Sequence, residues 1–276
     1  MKKTAILLGS KPASVAALLL LRKHGWDIKE VVAAPEQADW IPRPTLFEVA
    51  TSLGIRTVEN QADLITEKVD LVISYMCRAR VKPQTLSRGM YPLNFHAGPL
   101  PEFGGWAFYN VAILENSHEY GCTCHVMDES FDTGPLVKVR RFAINPGKET
   151  AYSLERKAQL EMILLFEEVL SIYETTGSLP SEDQDPSKMR YMNAQEFGKL
   201  KEIPLNATAE EVDRIARAFW YPPYEVAHIK TPSGLKVEVV PEMVKRELAY
   251  GLHADDLSVF LKTCGLPDIK GNLQDS

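Results

Sequence analysis

The segment VDLVISYM, residues 69–76, decides the fold class of the chain. It is nearly all apolar, which is typical of a strand in a parallel sheet that is covered on both faces. Similar segments are TAILLG (4–9), IKEVVAA (28–34), IRTV (55–58) and YPLNFH (91–96), and between them lie the helical segments PASVAALLLLRKHG (12–25) and PTLFEVATSLG (44–54). Proline is expected in the first turn of the second helix and glycine after its end. This alternation predicts an α/β fold, a Rossmann-like open, mostly parallel sheet with helices on both faces.

The rest of the chain predicts a second, smaller unit. Further elements are a helix at 107–116, strands at 121–128 and 134–144, and a long helix ending at Gly177. The polar, proline-containing segment 178–189 indicates a linker, and residues 207–240 read as a helix followed by a hairpin with Gly234 in its turn. We expect a larger domain at 1–180, a linker at 181–205 and a small C-terminal α+β subdomain at 206–276.

Composition excludes several classes of protein. Apolar residues make up 45% and charged residues 25% of the 276 positions, an ordinary globular composition. The net charge of −6 disfavours general nucleic-acid binding. No apolar run approaches the roughly 18 residues of a membrane span, and the start, MKKTAILLGS, reads as a first strand and not a signal peptide. Four cysteines in this context indicate reduced thiols and a cytoplasmic location.

A metal site is not predicted. Cys122 and Cys124 share one face of a strand, but further ligands at a recognisable spacing are missing. His125 is adjacent in sequence and is expected on the opposite face.

The segment NFHAGPLPEFGG, residues 94–105, places a polar pair at the end of the fifth strand. Open α/β sheets bind ligands beyond the carboxyl ends of their strands. His96 is a candidate acid or base, and the amide of Asn94, on the same side, can hydrogen-bond a carbonyl oxygen as charge builds on it. Within MDESFDTG (127–134), Asp132 is a candidate partner of His96. The alternatives are a structural histidine, a turn-forming asparagine and a solvated acidic turn.

No nucleotide motif accompanies this pair. The first strand leads into GSKPAS, which is not a dinucleotide fingerprint, and no phosphate-binding P-loop occurs. An asparagine, a histidine and an aspartate without a serine or cysteine nucleophile suggest transfer between two bound substrates.

The two motifs together resemble the 10-formyltetrahydrofolate-dependent formyltransferase family, whose pattern is N-x-H-x-S-x-L-P-x-x-x-G with a later D-x-G. The resemblance implies that His96 takes a proton from the attacking amine, that Asn94 holds the formyl oxygen and that Asp132 supports His96. It implies 10-formyltetrahydrofolate as the formyl donor, without a metal, and two donor-binding loops: Ala79, Arg80 and Val81, and Asp128, Glu129, Ser130 and Phe131. This chain departs from the pattern at Gly98, where the family usually has serine.

The acceptor is predicted from the last third of the chain. The segment RAFWYPPYEVAHI, residues 217–229, resembles nucleotide-sugar N-formyltransferases of the 4-amino-4,6-dideoxyhexose type. That resemblance implies a nucleotide-linked amino sugar as acceptor, a role in O-antigen biosynthesis, and a homodimer. Trp106 and Tyr221 are candidate acceptor contacts, although core packing is the alternative for both.

Two other functions stay open. Methionyl-tRNA formyltransferases carry a basic C-terminal domain, whereas residues 201–276 hold nine lysines and arginines against twelve aspartates and glutamates, a net charge of −3. The second alternative is a catalytically silent binding protein on the same scaffold. The sequence names neither the nucleotide nor the sugar.

Overall fold

The computed structural model describes residues 2–35, 38, 41–77, 79–105, 108–192, 194–244 and 263–265. The strands are β1 Thr4–Gly9, β2 Asp27–Val32, β3 Arg56–Val58, β4 Val69–Tyr75, β5 Gly89–His96, β6 Gly104–Gly105, β7 Glu119–Val126, β8 Leu136–Ala143, β9 Tyr191–Met192, β10 His228–Lys230 and β11 Lys236–Glu238. The helices are α1 Ala13–Lys23, α2 Leu46–Ser52, α3 Pro83–Leu86, α4 Phe108–Leu114, α5 Ala151–Thr176, α6 Ala194–Lys199 and α7 Ala209–Ala218. Of the helices in these ranges, none combines the length and the apolar character that crossing a bilayer requires.

Seven strands form one sheet in the order β3-β2-β1-β4-β5-β7-β8. The pairs from β3 to β5 are all parallel, and β7 and β8 are added antiparallel at one edge. The predicted α/β class with an open, mostly parallel sheet is therefore confirmed. β5 therefore lies between a parallel and an antiparallel neighbour. Its last residue, His96, pairs with Thr123 in the middle of β7.

The sheet is covered on both faces, but unevenly. Alternate residues of β1 enter different cores: Ala5 and Leu7 pack with α1, α2, α4 and α5, whereas Ile6 and Leu8 join a smaller cluster on the other face. That second cluster is closed by short elements, which include α3 and the turn of 3-10 helix Gln61–Asp63. The long helices thus cover one face of the sheet, and short elements cover the other.

Local signals explain the helix ends. The hydroxyls of Thr45, Thr150 and Thr208 accept from the backbone three residues on, and each is part of a capping box. Gly177 ends α5 with φ of 73°, a left-handed conformation that favours glycine. The expected placement of proline in the first turn of α2 is wrong, because Thr45 is the N-cap and Pro44 precedes it.

The segment after α5 pairs with the large domain. Glu182 and Leu136 exchange backbone hydrogen bonds of 2.9 and 2.7 Å, and β9 pairs in parallel with β6. Further on, the buried Arg217 of α7 donates to the backbone oxygen of Glu149, at the start of α5. The predicted hairpin is β10 with β11, and Gly234 in its turn has φ of 84°. The boundaries at 180 and 205 stay predictions.

Candidate active site

The loop after β5 is held against β7 by two side chains. The Tyr120 hydroxyl donates to the Ala97 carbonyl oxygen at 2.9 Å. The buried Thr123 hydroxyl donates to the Gly98 carbonyl oxygen at 2.8 Å and accepts from the Leu100 N–H at 2.9 Å. Backbone groups that β-sheet pairing leaves free are thereby satisfied inside the protein. The polar pair at the strand end consequently projects from a fixed backbone.

The ring of His96 is oriented by a backbone carbonyl. Its Nε2 donates to the Phe103 oxygen at 2.7 Å, and its ring lies edge-on to Phe108 with 4.7 Å between centroids. Because a carbonyl oxygen only accepts, the proton of the neutral ring is on Nε2 and the lone pair is on Nδ1. Nδ1 faces Asp132, with 3.6 Å to Oδ1. The atom of His96 that can act as a base is therefore Nδ1.

Gly98 makes room for this arrangement. A Cβ atom on Gly98 would lie 2.8 Å from the Phe103 oxygen and 2.9 Å from Nε2 of His96. It would thus meet both atoms of the hydrogen bond that orients the ring. The position where the family pattern has serine is, in this chain, space that the His96 ring and the Phe103 carbonyl occupy.

His125 belongs to the site, although no sequence motif singles it out. Nδ1 of its buried ring donates to the Val126 oxygen at 3.1 Å, so that Nε2 accepts a 3.1 Å hydrogen bond from Nδ2 of Asn94. The strand alternation did place it opposite Cys122 and Cys124, which are in the core. The antiparallel pairing that sets Asn94 opposite His125 is a long-range feature that no local motif announces.

Asp132 lies between the two histidines. Its Oδ1 is 3.6 Å from Nδ1 of His96 and 3.7 Å from Nε2 of His125, and its Oδ2 accepts from the Gly105 N–H at 3.0 Å. Burial raises the pKa of this carboxyl, but the nearby imidazoles of His96 and His125 and the hydrogen bond from the Gly105 N–H outweigh it and hold the pKa well below its ordinary value. The carboxylate is therefore ionised at neutral pH.

The two predicted loops face each other across a cavity. The guanidinium of Arg80 lies 5.2 Å from the centroid of the Phe131 ring and donates to the Glu129 carbonyl oxygen. Gln61 holds the first loop, because its Nε2 donates to the Arg80 oxygen and its Oε1 accepts from the Lys82 N–H, both at 2.9 Å. In the second loop, Asp128 accepts from the Ser130 N–H at 2.8 Å and from the Thr133 hydroxyl.

One cavity of about 700 Å³ collects most of the predicted residues. Those that line it are Asn94, His96, Asp132, Ala79, Arg80, Val81, Asp128, Ser130, Phe131 and Tyr221. Glu129 is not a lining residue, and only its carbonyl is tied to Arg80. Trp106 lies outside the described residues, as does Arg78, which directly precedes Ala79 of the first loop.

At Tyr221, the cavity carries a buried ion pair. Nζ of Lys11 lies 3.1 Å from Oε1 of Glu155 and donates to the Tyr221 hydroxyl at 3.0 Å. The Lys11 side chain is 15% exposed and that of Glu155 5%. Because a buried charge is costly unless paired, this arrangement fixes both side chains at the cavity wall.

In the described parts of the chain, no group of three or more His, Cys, Asp or Glu residues is arranged to hold a metal.

A family model described as "Formyl transferase" matches residues 5–169. The chain belongs to the formyl transferase family. The matched range covers more than half of the chain and contains Asn94, His96, His125 and Asp132. The predicted family is thereby confirmed, whereas the roles of the individual residues stay predictions. Tyr221 lies beyond the matched range.

Similar proteins of this family differ in their acceptors. A methionyl-tRNA formyltransferase of Listeria innocua is 26% identical over 202 residues, which are 68% of this chain and 64% of that protein. The alignment therefore spans less than two thirds of the Listeria protein. A GDP-perosamine N-formyltransferase of Brucella melitensis is 27% identical over 191 residues, 66% of this chain and 69% of the relative.

A solved structure shares the fold. The N-formyltransferase from Helicobacter canadensis, in complex with folinic acid and dTDP-3-aminofucose, superposes with a TM-score of 0.71 and 20% identity. The superposition covers 84% of this family member and 85% of the Helicobacter chain. At this identity the likeness establishes the arrangement of strands and helices.

Proposed function

We propose that this protein transfers a formyl group from 10-formyltetrahydrofolate to the amine of a nucleotide-linked amino sugar, with a 4-amino-4,6-dideoxyhexose as the expected sugar. One observation carries the proposal: Asn94, His96 and Asp132 converge on a single cavity whose mouth is formed by the two predicted donor loops. The Brucella and Helicobacter relatives, which act on or bind amino sugar nucleotides by their names, support the choice of acceptor.

The size and lining of the cavity support a folate as the formyl donor. A volume of about 700 Å³ is within the roughly 300–1,000 Å³ of small-molecule sites. Met76, Val81, Met127 and Phe131 provide apolar wall for a flat heterocycle, and Arg80 at the mouth offers a cation to the carboxylates of the folate tail. When bound, the donor supplies an activated formyl carbon, and the protein contributes position and charge.

The proton chemistry falls to His96. The lone pair on Nδ1 accepts a proton from the acceptor amine as its nitrogen bonds to the formyl carbon, and the same atom returns a proton to the nitrogen of the departing folate. Asp132 stabilises the positively charged ring from 3.6 Å. Asn94 donates one amide N–H to His125, which leaves its second N–H for the formyl oxygen as that oxygen gains charge.

The acceptor side is formed largely by residues beyond the matched family range. Tyr221, Tyr224, Phe219, Phe197 and Lys201 line the cavity there. The rings of Tyr221 and Tyr224 lie 5.4 Å apart, so they offer aromatic surface to a nucleobase. Lys11 and Lys201 place two cations on the same wall, although each is paired with a glutamate, Glu155 and Glu225 respectively.

Three wider aspects belong to the same proposal. We expect a homodimer through the C-terminal helix and hairpin, a cytoplasmic location and a product used in O-antigen biosynthesis. The exposed side chains of Leu235 and Val237 on the hairpin are consistent with a protein contact. Gel filtration with light scattering measures the oligomeric state, and a monomer at micromolar concentration contradicts the dimer.

Turnover tests the function directly. The purified full chain is mixed with 10-formyltetrahydrofolate and, in parallel, with UDP-, GDP- and dTDP-linked 4-amino-4,6-dideoxyhexoses, and release of tetrahydrofolate is followed by absorbance. Amine-dependent release with at least one sugar supports the proposal. Methionyl-tRNA is run as a further acceptor, and release only with it identifies the other acceptor class. Binding of the folate, measured by thermal shift, without release under any condition identifies a catalytically silent protein. His96→Ala serves as the inactive reference.

A further inference from the structure

The turn that carries Asp132 has an unusual backbone. Asp132 has φ of 58°, which is in the left-handed region that residues other than glycine rarely adopt. Two residues on, a Cβ atom on Gly134 would lie 1.8 Å from the Val126 oxygen, so the turn packs tightly against the end of β7. A conformation of this kind persists only when the surrounding structure over-determines it.

One side chain from outside the family-matched range holds this turn. Nε2 of Gln184 donates to the carbonyl oxygens of Asp132 and Gly134, each at 2.8 Å. Gln184 is 9% exposed, and its buried Oε1 has no hydrogen-bond partner. A buried amide that leaves its acceptor unsatisfied while using both donors on two neighbouring carbonyls costs free energy. The hydrogen bonds that Gln184 gives to the turn therefore explain its position, and the satisfaction of its own amide does not.

The backbone around Gln184 holds both sides of Asp132. Glu182 pairs with Leu136, which follows the turn. Arg190 accepts from the Gly104 N–H at 3.2 Å and donates its own N–H to the Pro101 oxygen at 3.2 Å. Gly105, next to Gly104, donates to Oδ2 of Asp132. The segment 182–192 thus fixes the main chain on which Asp132 stands and the main chain that binds its carboxylate.

We propose that Gln184 is a positioning residue for formyl transfer, which sets the Asp132 carboxylate between His96 and His125 by holding the carbonyls of Asp132 and Gly134. This inference rests on the proposed function for its kinetic part. A misplacement of about 1 Å can cost on the order of 100-fold in rate, so a loosened turn lowers the chemical step more than ligand binding.

The test compares Gln184→Met with wild type in the full chain. Methionine has nearly the same shape but donates no hydrogen bond. We expect kcat to fall about tenfold or more, while KM for donor and acceptor each change less than about twofold. In Gln184→Glu a carboxylate faces two carbonyl oxygens, so kcat is expected to fall further than in Gln184→Met. The matched control is Gln159→Met, which removes another buried glutamine, on α5, that is not among the residues lining the cavity.

A second readout does not need turnover. In the wild type, ¹⁵N spectra of the side chains should show the Nε2–H form of neutral His96 and the Nδ1–H form of His125. Gln184→Met should keep these forms, which the Phe103 and Val126 carbonyls set, but should shift the resonances of Nδ1 of His96 and Nε2 of His125, the two nitrogens that face Asp132. Gln159→Met should leave these resonances unchanged. If wild type does not transfer formyl, the proposed function fails and these spectra alone decide the role of Gln184. An unchanged kcat, a kcat loss equal to that of Gln159→Met, or unchanged spectra in Gln184→Met each overturn it.

Discussion

Asn94 and His125 share a 3.1 Å hydrogen bond between neighbouring antiparallel strands, β5 and β7. The Val126 carbonyl places the proton of His125 on Nδ1, so Nε2 has to accept, and the amide nitrogen of Asn94 has to donate. An asparagine by itself does not determine which end of its amide faces the substrate. Here His125, on the opposite strand, determines that orientation.

His125→Leu is therefore expected to lower kcat about tenfold, because Asn94 loses the acceptor that fixes its amide and contributes less to holding the formyl oxygen. His125→Gln, which keeps an acceptor oxygen, should lose less. Steady-state kinetics measure both, with the exposed His118→Leu as control. Equal rates for the leucine and glutamine variants would mean that the hydrogen bond is not what matters.

Gly98→Ala tests the space around His96. The added Cβ, less than 3 Å from both the Phe103 oxygen and Nε2 of His96, forces the ring or the carbonyl to move. We expect a loss of about 1–3 kcal/mol in unfolding free energy and a clear loss of kcat. The control is Gly198→Ala in α6, where nothing lies within 4 Å of the new atom. Full activity in Gly98→Ala would show that the ring tolerates displacement, as the serine of the family pattern suggests for relatives.

Asp132→Asn should destabilise the protein in a pH-dependent way. The pKa of Asp132 is lowered in the folded state, so its carboxylate contributes stability above the unfolded value of about 3.9, and that contribution is lost as pH falls further. The variant is expected to be about 1–3 kcal/mol less stable at pH 7. Urea unfolding at pH 7, 5 and 3 should show the difference shrinking toward pH 3. A difference independent of pH contradicts the assignment; the exposed Asp183→Asn is the control.

Arg80→Ala should act on the donor. The guanidinium contacts both the Phe131 ring and the Glu129 carbonyl, so its removal separates the two loops at the cavity mouth. We expect KM for 10-formyltetrahydrofolate to rise about tenfold, which corresponds to about 1.4 kcal/mol, with kcat and the acceptor KM nearly unchanged. Arg43→Ala, an exposed arginine paired with Glu48, is the control. A selective rise in acceptor KM would place the donor elsewhere.

The parts of this molecule that sequence predicts are those in which chemistry is local. Periodic apolar residues predict β4 and α5, and Gly177 predicts the end of α5. Asn94 and His96 stand two residues apart at a strand end, and Asp132 lies in the second matching motif. All three can therefore be predicted as site residues from sequence. His125 and Gln184 cannot be predicted in this way, because their partners are distant in sequence. His125 lies 31 residues from Asn94, and Gln184 lies 52 residues from Asp132. Gln184 sits in a polar, proline-containing stretch whose composition indicates only a linker.

The return of the chain after α5 has a practical consequence for protein engineering. A chimera that grafts another acceptor region onto this protein at residue 180 would replace the strand partner of Gly104–Gly105 together with the glutamine that grips the Asp132 turn. Such a hybrid would exchange part of the proposed catalytic apparatus while appearing to exchange only its specificity. A junction after residue 192 would keep that apparatus in one parent, and it is the better place to join halves of different origin.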